Sequence, residues 1–215
     1  MSAQENCGKI KESIHYTLIR KGKERMQMLK DAILERGKAL NQDVLLVDSF
    51  LNHQVDVPLM KAIGEEFAKH FADKGLTRIV TIESSGIAPA AFTALAMGLP
   101  LVIMKKQTSK IMNGDLLQTT VRSFTKGTQY ELTVKHEFLP AGEKILLIDD
   151  FLASGEAAFG VLNLVQQAGS EVCGVGIVIE KAFQSGHKRL VDMGMDVYSL
   201  ARIASMSPDS IEFAD

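Results

Sequence analysis

From Met26 onward the chain alternates between short aliphatic runs and longer stretches with an apolar residue every three or four positions. The aliphatic runs Ile79–Ile82, Leu99–Met104, Ile145–Ile148 and Val172–Ile179 predict buried strands, with a last strand around Val197–Leu200. The helical stretches fall between them. Met28 to Arg36 reads as a short helix stopped by Gly37. Pro58 fits a helix first turn, with Met60, Ile63, Phe67 and Phe71 on one face until Gly75. Ile87 to Met97 predicts a small-residue helix ended by Gly98, and a further helix turns Ala158, Val161, Leu162 and Val165 inward. A short helix precedes the last strand. Strands alternating with helices imply an α/β fold, a parallel sheet with right-handed crossovers.

Three stretches break that rhythm. Val44 to Asp56 mixes apolar runs with Asp, Asn and His and is too short for a helical layer. Lys105 to Leu117 is polar, carries three lysines (Lys105, Lys106, Lys110) and Asn113-Gly114, and is long for a loop inside a compact domain. The stretches Thr119–Phe124 and Tyr130–His136 beyond it alternate enough to pair as a hairpin or flap. Residues 1–25 differ from the rest: Lys9 to Ile19 is weakly amphipathic and Arg20 to Arg25 is charged. They read either as an extension docking on the domain or a partner, or as a start placed too early, with Met26 or Met28 the true start. The second is favoured, since the codons for Gly22 to Arg25 are purine-rich and suit a ribosome-binding sequence. The domain is then expected over 26–215.

Composition narrows the class. The 215 residues suffice for one sizeable domain, and 46% hydrophobic with 23% charged is ordinary for a soluble protein. Such a chain buries roughly 70% of its unfolded surface and needs no disulfide or metal staple. The net charge of -2 predicts no nucleic-acid surface. No apolar run reaches the ~20 residues that span a bilayer, and the first residues lack an apolar export signal. Cys7 and Cys173 form no C-x-x-C pair, Cys173 reads as a small buried side chain, and five scattered histidines predict no zinc site. A cytoplasmic protein is expected.

The chemistry concentrates at Ile145 to Ala157, where four aliphatics end in Asp149-Asp150 and a small-residue turn, Ala153 to Ala157, opens a helix. A strand-loop-helix junction turns backbone N–H groups and the positive end of a helix dipole outward, which suits a phosphate. The adjacent carboxylates suit sugar hydroxyls or a divalent cation held by oxygens. Two more strand ends collect polar groups: Glu83-Ser84-Ser85-Gly86, whose glycine lets backbone approach a ligand, and Glu180-Lys181, whose cation can donate to a carbonyl oxygen. Each alone reads better as a solvated strand end than as a ligand site. Convergence of three on one sheet edge favours a ligand site.

The segment ILLIDDFLASGEA resembles the phosphoribosyl pyrophosphate signature of type I phosphoribosyltransferases. VDSFLNHQVD, TIESSGIAPA, GVGIVIEKAFQSG and SLARI, in that order, make the chain from about Met26 to its end similar to the bacterial xanthine phosphoribosyltransferases. The resemblance implies the type I fold: a parallel sheet core flanked by helices, a small hood from about 38–57 plus the C-terminal strands, and a flexible flap around Lys105, Lys106 and Lys110. It implies a glycosyl (pentosyl) transfer in purine salvage, from phosphoribosyl pyrophosphate to xanthine, giving xanthosine 5′-monophosphate and pyrophosphate. Asp149 and Asp150 would hold the ribose hydroxyls. Ala153, Ser154, Gly155, Glu156 and Ala157 would cradle the 5′-phosphate, and Ser84, Ser85 and Gly86 would lie against the pyrophosphate. Leu45, Asn52 and Lys181 match the family's base contacts, with Phe151 or Phe183 as stacking candidates. Mg²⁺ would enter with the pyrophosphate, held by no dedicated protein cage beyond Asp149 and Asp150, and the enzyme would be a homodimer.

The broad superfamily ends its signature in Gly-Gly-Thr, whereas Glu156 and Ala157 follow Gly155 here. A phosphate-reaching hydroxyl is absent at Ala157, and Glu156 must point away from the anion. Two other functions stay open at this stage. One is a phosphoribosyl pyrophosphate sensor, which in purine repressors carries a winged helix that residues 1–25 are too short to form. The other is an enzyme that prefers a different purine.

Overall fold

The computed structural model describes residues 26–106, 114–122 and 128–214. A helix, α1, covers 26–36, and Lys38–Ala39 (β1) pairs antiparallel with Leu45–Leu46 (β2). Val57–His70 forms α2 and Arg78–Ile82 β3, followed by Ile87–Met97 (α3) and Leu101–Met104 (β4). Leu116–Arg122 (β5) and Gln129–Lys135 (β6) form an antiparallel hairpin. Lys144–Leu152 (β7), Glu156–Gln167 (α4), Glu171–Lys181 (β8), Gly186–Asp192 (α5), Val197–Ser207 (β9) and Ser210–Phe213 (β10) complete the chain. The central sheet runs β10-β9-β8-β7-β3-β4, parallel except where β10 turns back on β9.

β7 shows why the sheet is buried on both faces. Leu146 and Ile148 join the core cluster of α2 and α3, while Ile145 and Leu147 join the opposite cluster, built on α4 and the β5–β6 hairpin. Alternation of aliphatics in both directions is what a doubly covered parallel strand requires. On the first face, β8 carries glycines under two phenylalanines. A Cβ at Gly176 would lie 2.9 Å from the Phe67 ring, and one at Gly174 would lie 2.6 Å from Phe71. The α2 face foreseen from spacing therefore seats in a trough cut by two missing side chains. α2 begins at Asp56, whose carboxylate accepts the Leu59 N–H at 3.1 Å and pairs with Arg36 at 2.9 Å. Gly75 and Gly98 take left-handed conformations that end their helices.

Several boundaries differ from expectation. The last strand extends to Ser207 and pairs with β10, which the sequence pattern did not predict. Part of the foreseen loop, Leu116 onward, is strand, because Leu117, Val121, Leu132 and Val134 close over α4. In α4 it is Leu164 that is fully buried, whereas Leu162 is half-buried. Cys173 is the extra residue of a β7–β8 bulge and is half-buried; partial burial and Glu171 push its thiol pKa up. Among the described residues no helix is long and apolar enough to cross a membrane. Cys7 and residues 1–25 lie outside the described residues, as do Lys110 and most of the Lys105–Leu117 loop.

Candidate active site

β7 carries its acids inside the strand, which runs four residues past the aliphatic run to Leu152, with Phe151 and Leu152 still paired to β8. Asp149 is 9% exposed. Burial, reinforced by the charge of Asp150, pushes its carboxyl pKa well above the ordinary range, against the Asp150 N–H that donates to Oδ1 at 3.0 Å. Asp150 is half-exposed. Gly86 serves a different purpose from the one its position suggests. Its Cα abuts the Thr81 hydroxyl and the Asp149 carboxylate, so a Cβ would come within 2.4 and 2.8 Å of them. Ser84 and Ser85 line a cavity with the acids, and Gly86 does not. The Glu83–Ser84 peptide bond is cis.

After Leu152 the chain turns through Ala153 and Ser154 to Gly155, which caps α4 at φ +89°. That left-handed conformation is why glycine stands there. No side chain caps the first turn of α4, so its N–H groups are left for a ligand. Residues Ala153 to Ala158 line a cavity of about 190 Å³ beside these groups.

Much of the turn's support comes from α5, the short helix foreseen before the last strand, whose contacts with the turn the sequence did not reveal. The Gly186 N–H donates to the Ala153 carbonyl at 2.9 Å, and a Cβ on Gly186 would sit 2.3 Å from that oxygen. Arg189 Nη1 donates to the Ser154 carbonyl at 2.7 Å and to Glu156 Oε1 at 2.6 Å, with its guanidinium 4.2 Å from the Phe159 ring centre. Glu156 is thereby tied to a cation, although it remains in the cavity wall. The clue in the sequence was the acid itself, which needs a countercharge, but its partner is 33 residues away.

The second cavity, about 450 Å³, is lined by Leu45, Ser84, Ser85, Asp150 and Lys181 among others. It shares Lys106, Asp149, Phe151, Ala153 and Ala157 with the first, so the two are lobes of one site. Lys181 is 8% exposed, donates to the Asp43 carbonyl and lies 5.5 Å from the Phe151 ring centre. Burial pushes its pKa down, opposed by Asp43 and Asp150. Beside it, buried Glu180 accepts from Ser199, from Arg202 at 3.0 Å and from His187 at 2.8 Å. Burial acts to raise its pKa, yet these bonds hold it below the ordinary value. Lys106 enters from the flap side: its N–H donates to Glu83 Oε1 at 2.8 Å while Lys105 pairs with Oε2 at 3.2 Å.

Two expected residues are not brought together with the rest. Asn52 is exposed at the end of a π-helical turn over Asp48–Asn52 and lines neither lobe. Phe183 is 44% exposed and faces a separate cavity with Gln42 and Met206, so of the two stacking candidates only Phe151 lines the site.

The phosphoribosyl transferase domain matches residues 56–202. The chain is 58% identical over 188 residues to xanthine phosphoribosyltransferase 1 of Clostridium botulinum, covering 87% of this chain and 99% of the relative. The chain belongs to the bacterial xanthine phosphoribosyltransferase family. The enzyme of that name from Agathobacter rectalis is 52% identical over 190 residues, covering 88% of this chain and 99% of its own. The fold also matches adenine phosphoribosyltransferase from Rhodothermus marinus, with TM-score 0.67 and 20% identity over 83% of this chain and 98% of that one. In family terms the site sits at the carboxyl ends of β3, β7 and β8, the edge where open α/β sheets hold ligands.

Proposed function

We propose that this protein transfers the 5-phosphoribosyl group of phosphoribosyl pyrophosphate to xanthine, yielding xanthosine 5′-monophosphate and pyrophosphate in purine salvage. The observation that carries this reading is the two-lobed site: a lobe at a helix N-terminus and a lobe around a buried lysine, joined over Asp149 and Phe151. A phosphorylated sugar fits the first and a planar oxopurine the second. In the reaction the bond from C1 of the ribose to pyrophosphate breaks with its electron pair leaving on pyrophosphate. A nitrogen of the base bonds to C1 from the opposite face and loses its proton.

Positive charge grows on the ribose as the leaving group departs, so catalysis is mainly positioning and charge stabilisation. Asp150 would accept from a ribose hydroxyl, with Asp149 behind it holding its proton more tightly than an ordinary carboxyl does. Ala153 to Ala157 offer N–H groups and the Ser154 hydroxyl to the 5′-phosphate; Ser84 and Ser85 face the pyrophosphate. Lys181 donates to a base carbonyl from a dry pocket beside Leu45 and Phe151, which favours oxopurines over an exocyclic amine. Asn52 contributes only if its turn moves toward the site. Lys105, Lys106 and Lys110 belong to a flap that closes over the reaction and excludes water.

Phosphoribosyltransferases generally pair their pyrophosphate substrate with Mg²⁺, and the donor set here fits such an arrangement. Among the described residues no cluster of three or more His, Cys, Asp or Glu gathers, while Asp150 is half-exposed beside the serines. One or two carboxylates plus substrate phosphates are what Mg²⁺ accepts. When bound, the ion would neutralise the departing pyrophosphate. We further take 26–215 as the catalytic domain, with 38–57 and the C-terminal strands as its hood, working as a homodimer in the cytoplasm.

The test is nucleotide formation from xanthine, guanine, hypoxanthine and adenine with phosphoribosyl pyrophosphate and Mg²⁺. Preference for xanthine is expected. A different preferred base would overturn the specificity assignment and leave the phosphate lobe standing.

A further inference from the structure

The phosphate turn of this chain holds an acid where an anion must bind. Glu156 is the first residue of α4, and a carboxylate there is drawn to the same first-turn N–H groups that would bind a phosphate. Left to itself, it would compete for those donors and repel the ligand. Arg189 alters this in two ways at once. One nitrogen, Nη1, bonds both the Glu156 carboxylate and the Ser154 carbonyl, while the guanidinium plane rests on Phe159. Phe159 in turn lies under the turn, 3.1 Å from where a Cβ on Gly155 would project. Exposed ion pairs contribute little by themselves, but a planar cation held by a carbonyl, a carboxylate and a ring has one geometry to keep.

We propose that Arg189 is a positioning residue for phosphoribosyl pyrophosphate, holding Glu156 off the α4 N-terminus so that a turn carrying an acid can bind the 5′-phosphate. It rests on the transferase reading above. Two effects are combined here, bracing of the Ser154 carbonyl and sequestration of Glu156, and they differ in one measurable respect. Sequestration matters only while residue 156 is charged.

The experiment is a double-mutant cycle of Arg189→Gln and Glu156→Gln. It reads the binding of ribose 5-phosphate and of phosphoribosyl pyrophosphate by calorimetry, with the KM of each substrate alongside. Arg189→Gln alone should weaken binding of both phosphates about tenfold, the scale of one charge-assisted hydrogen bond. In the Glu156→Gln background the same change should cost about twofold, and the KM for xanthine should stay put in both. Arg189→Lys, which keeps the charge and loses the fork, should fall between and guards against a glutamine variant that folds poorly. An equal penalty in both backgrounds, or none in either, would overturn the proposal. If the parent binds ribose 5-phosphate with this pattern yet turns over no purine, the transferase reading fails and the Arg189 assignment stands.

Discussion

At the phosphate lobe, consecutive residues from Ala153 to Ala157 form the turn itself, and one positive-φ glycine fixes its shape. The base lobe is gathered from far apart: Lys181 meets the Asp43 carbonyl across 138 residues, Leu45 arrives beside Asp43, and Phe151 and Ser84 come on two other segments. A local turn can be specified by a local motif, because its hydrogen bonds and dihedrals are settled within a few residues. A pocket assembled from hood, sheet and strand ends depends on packing of the whole domain. On the proposed function the first lobe would serve a phosphate common to every phosphoribosyl donor, and the second would tell one purine from another.

Asp150 lines the second lobe, between Asp149 and Phe151 that both lobes share, and its loss should have the largest effect. Asp150→Asn is expected to lower kcat/KM for both substrates by about 100- to 1,000-fold, the cost of removing a preorganised charge at the reacting centre. Asp149→Asn should cost much less, because Asp149 is buried in the strand whereas Asp150 is half-exposed to the site. The sign extends to stability. The folded carboxyl holds its proton above the ordinary range, so ionisation costs folding free energy as pH rises past the ordinary carboxyl value of 3.8. Asp149→Asn should therefore raise the melting temperature at neutral pH and change it little in acid. Equal kinetic losses at both positions would break the division of labour between the two acids.

The next variants separate the lobes. Gly186→Ala drives a Cβ to 2.3 Å from the Ala153 carbonyl and 3.0 Å from the Gly155 nitrogen. Displacing that turn should raise the KM for phosphoribosyl pyrophosphate by up to about 100-fold and spare the KM for xanthine. Lys181→Met should do the reverse, costing xanthine roughly 10- to 100-fold in kcat/KM, as expected for a lost hydrogen bond from a cation. Steady-state kinetics with each substrate varied decides both. If Lys181→Met moves both KM values together, the base lobe is not separable from the phosphate lobe.

How much of this was legible follows the same division. The strand carrying Asp149 and Asp150, the Gly155 turn and the α2 face of Met60, Ile63 and Phe67 were all readable, because each is encoded in local period or turn chemistry. Arg189 and Gly186 were not, since nothing near them in the sequence marks what they touch. Gly86 was read as an approach to ligand, yet it makes room for Thr81 and Asp149. Asn52 was assigned by resemblance, and the π-helical turn that carries it leaves it in solvent. β10 escaped because Ile211 and Phe213 make too short an alternation to stand out until β9 supplies a partner.

The smallest effect tests whether the base lobe contains a locally encoded part. Asp56 closes the hood segment and opens α2, accepting the Leu59 N–H and pairing with Arg36 of α1. Its pKa is held below the ordinary carboxylate value chiefly by the Leu59 N–H, against a smaller penalty from burial and with help from Arg36. A depressed folded-state pKa means stabilisation that is full above the unfolded value and lost as pH falls through the folded one. Asp56→Ala should thus lower stability by about 1 kcal/mol at neutral pH, the usual cost of an N-cap. The denaturation curves of parent and variant should converge as the pH drops below the ordinary carboxyl value of 3.8. Both KM values should hold, because the cap settles where α2 begins while the packing of Phe67 and Phe71 over Gly176 and Gly174 settles where it lies. A rise in the xanthine KM alone would instead mean that the entry angle of α2 sets the hood, and the base lobe would then hang on one carboxylate.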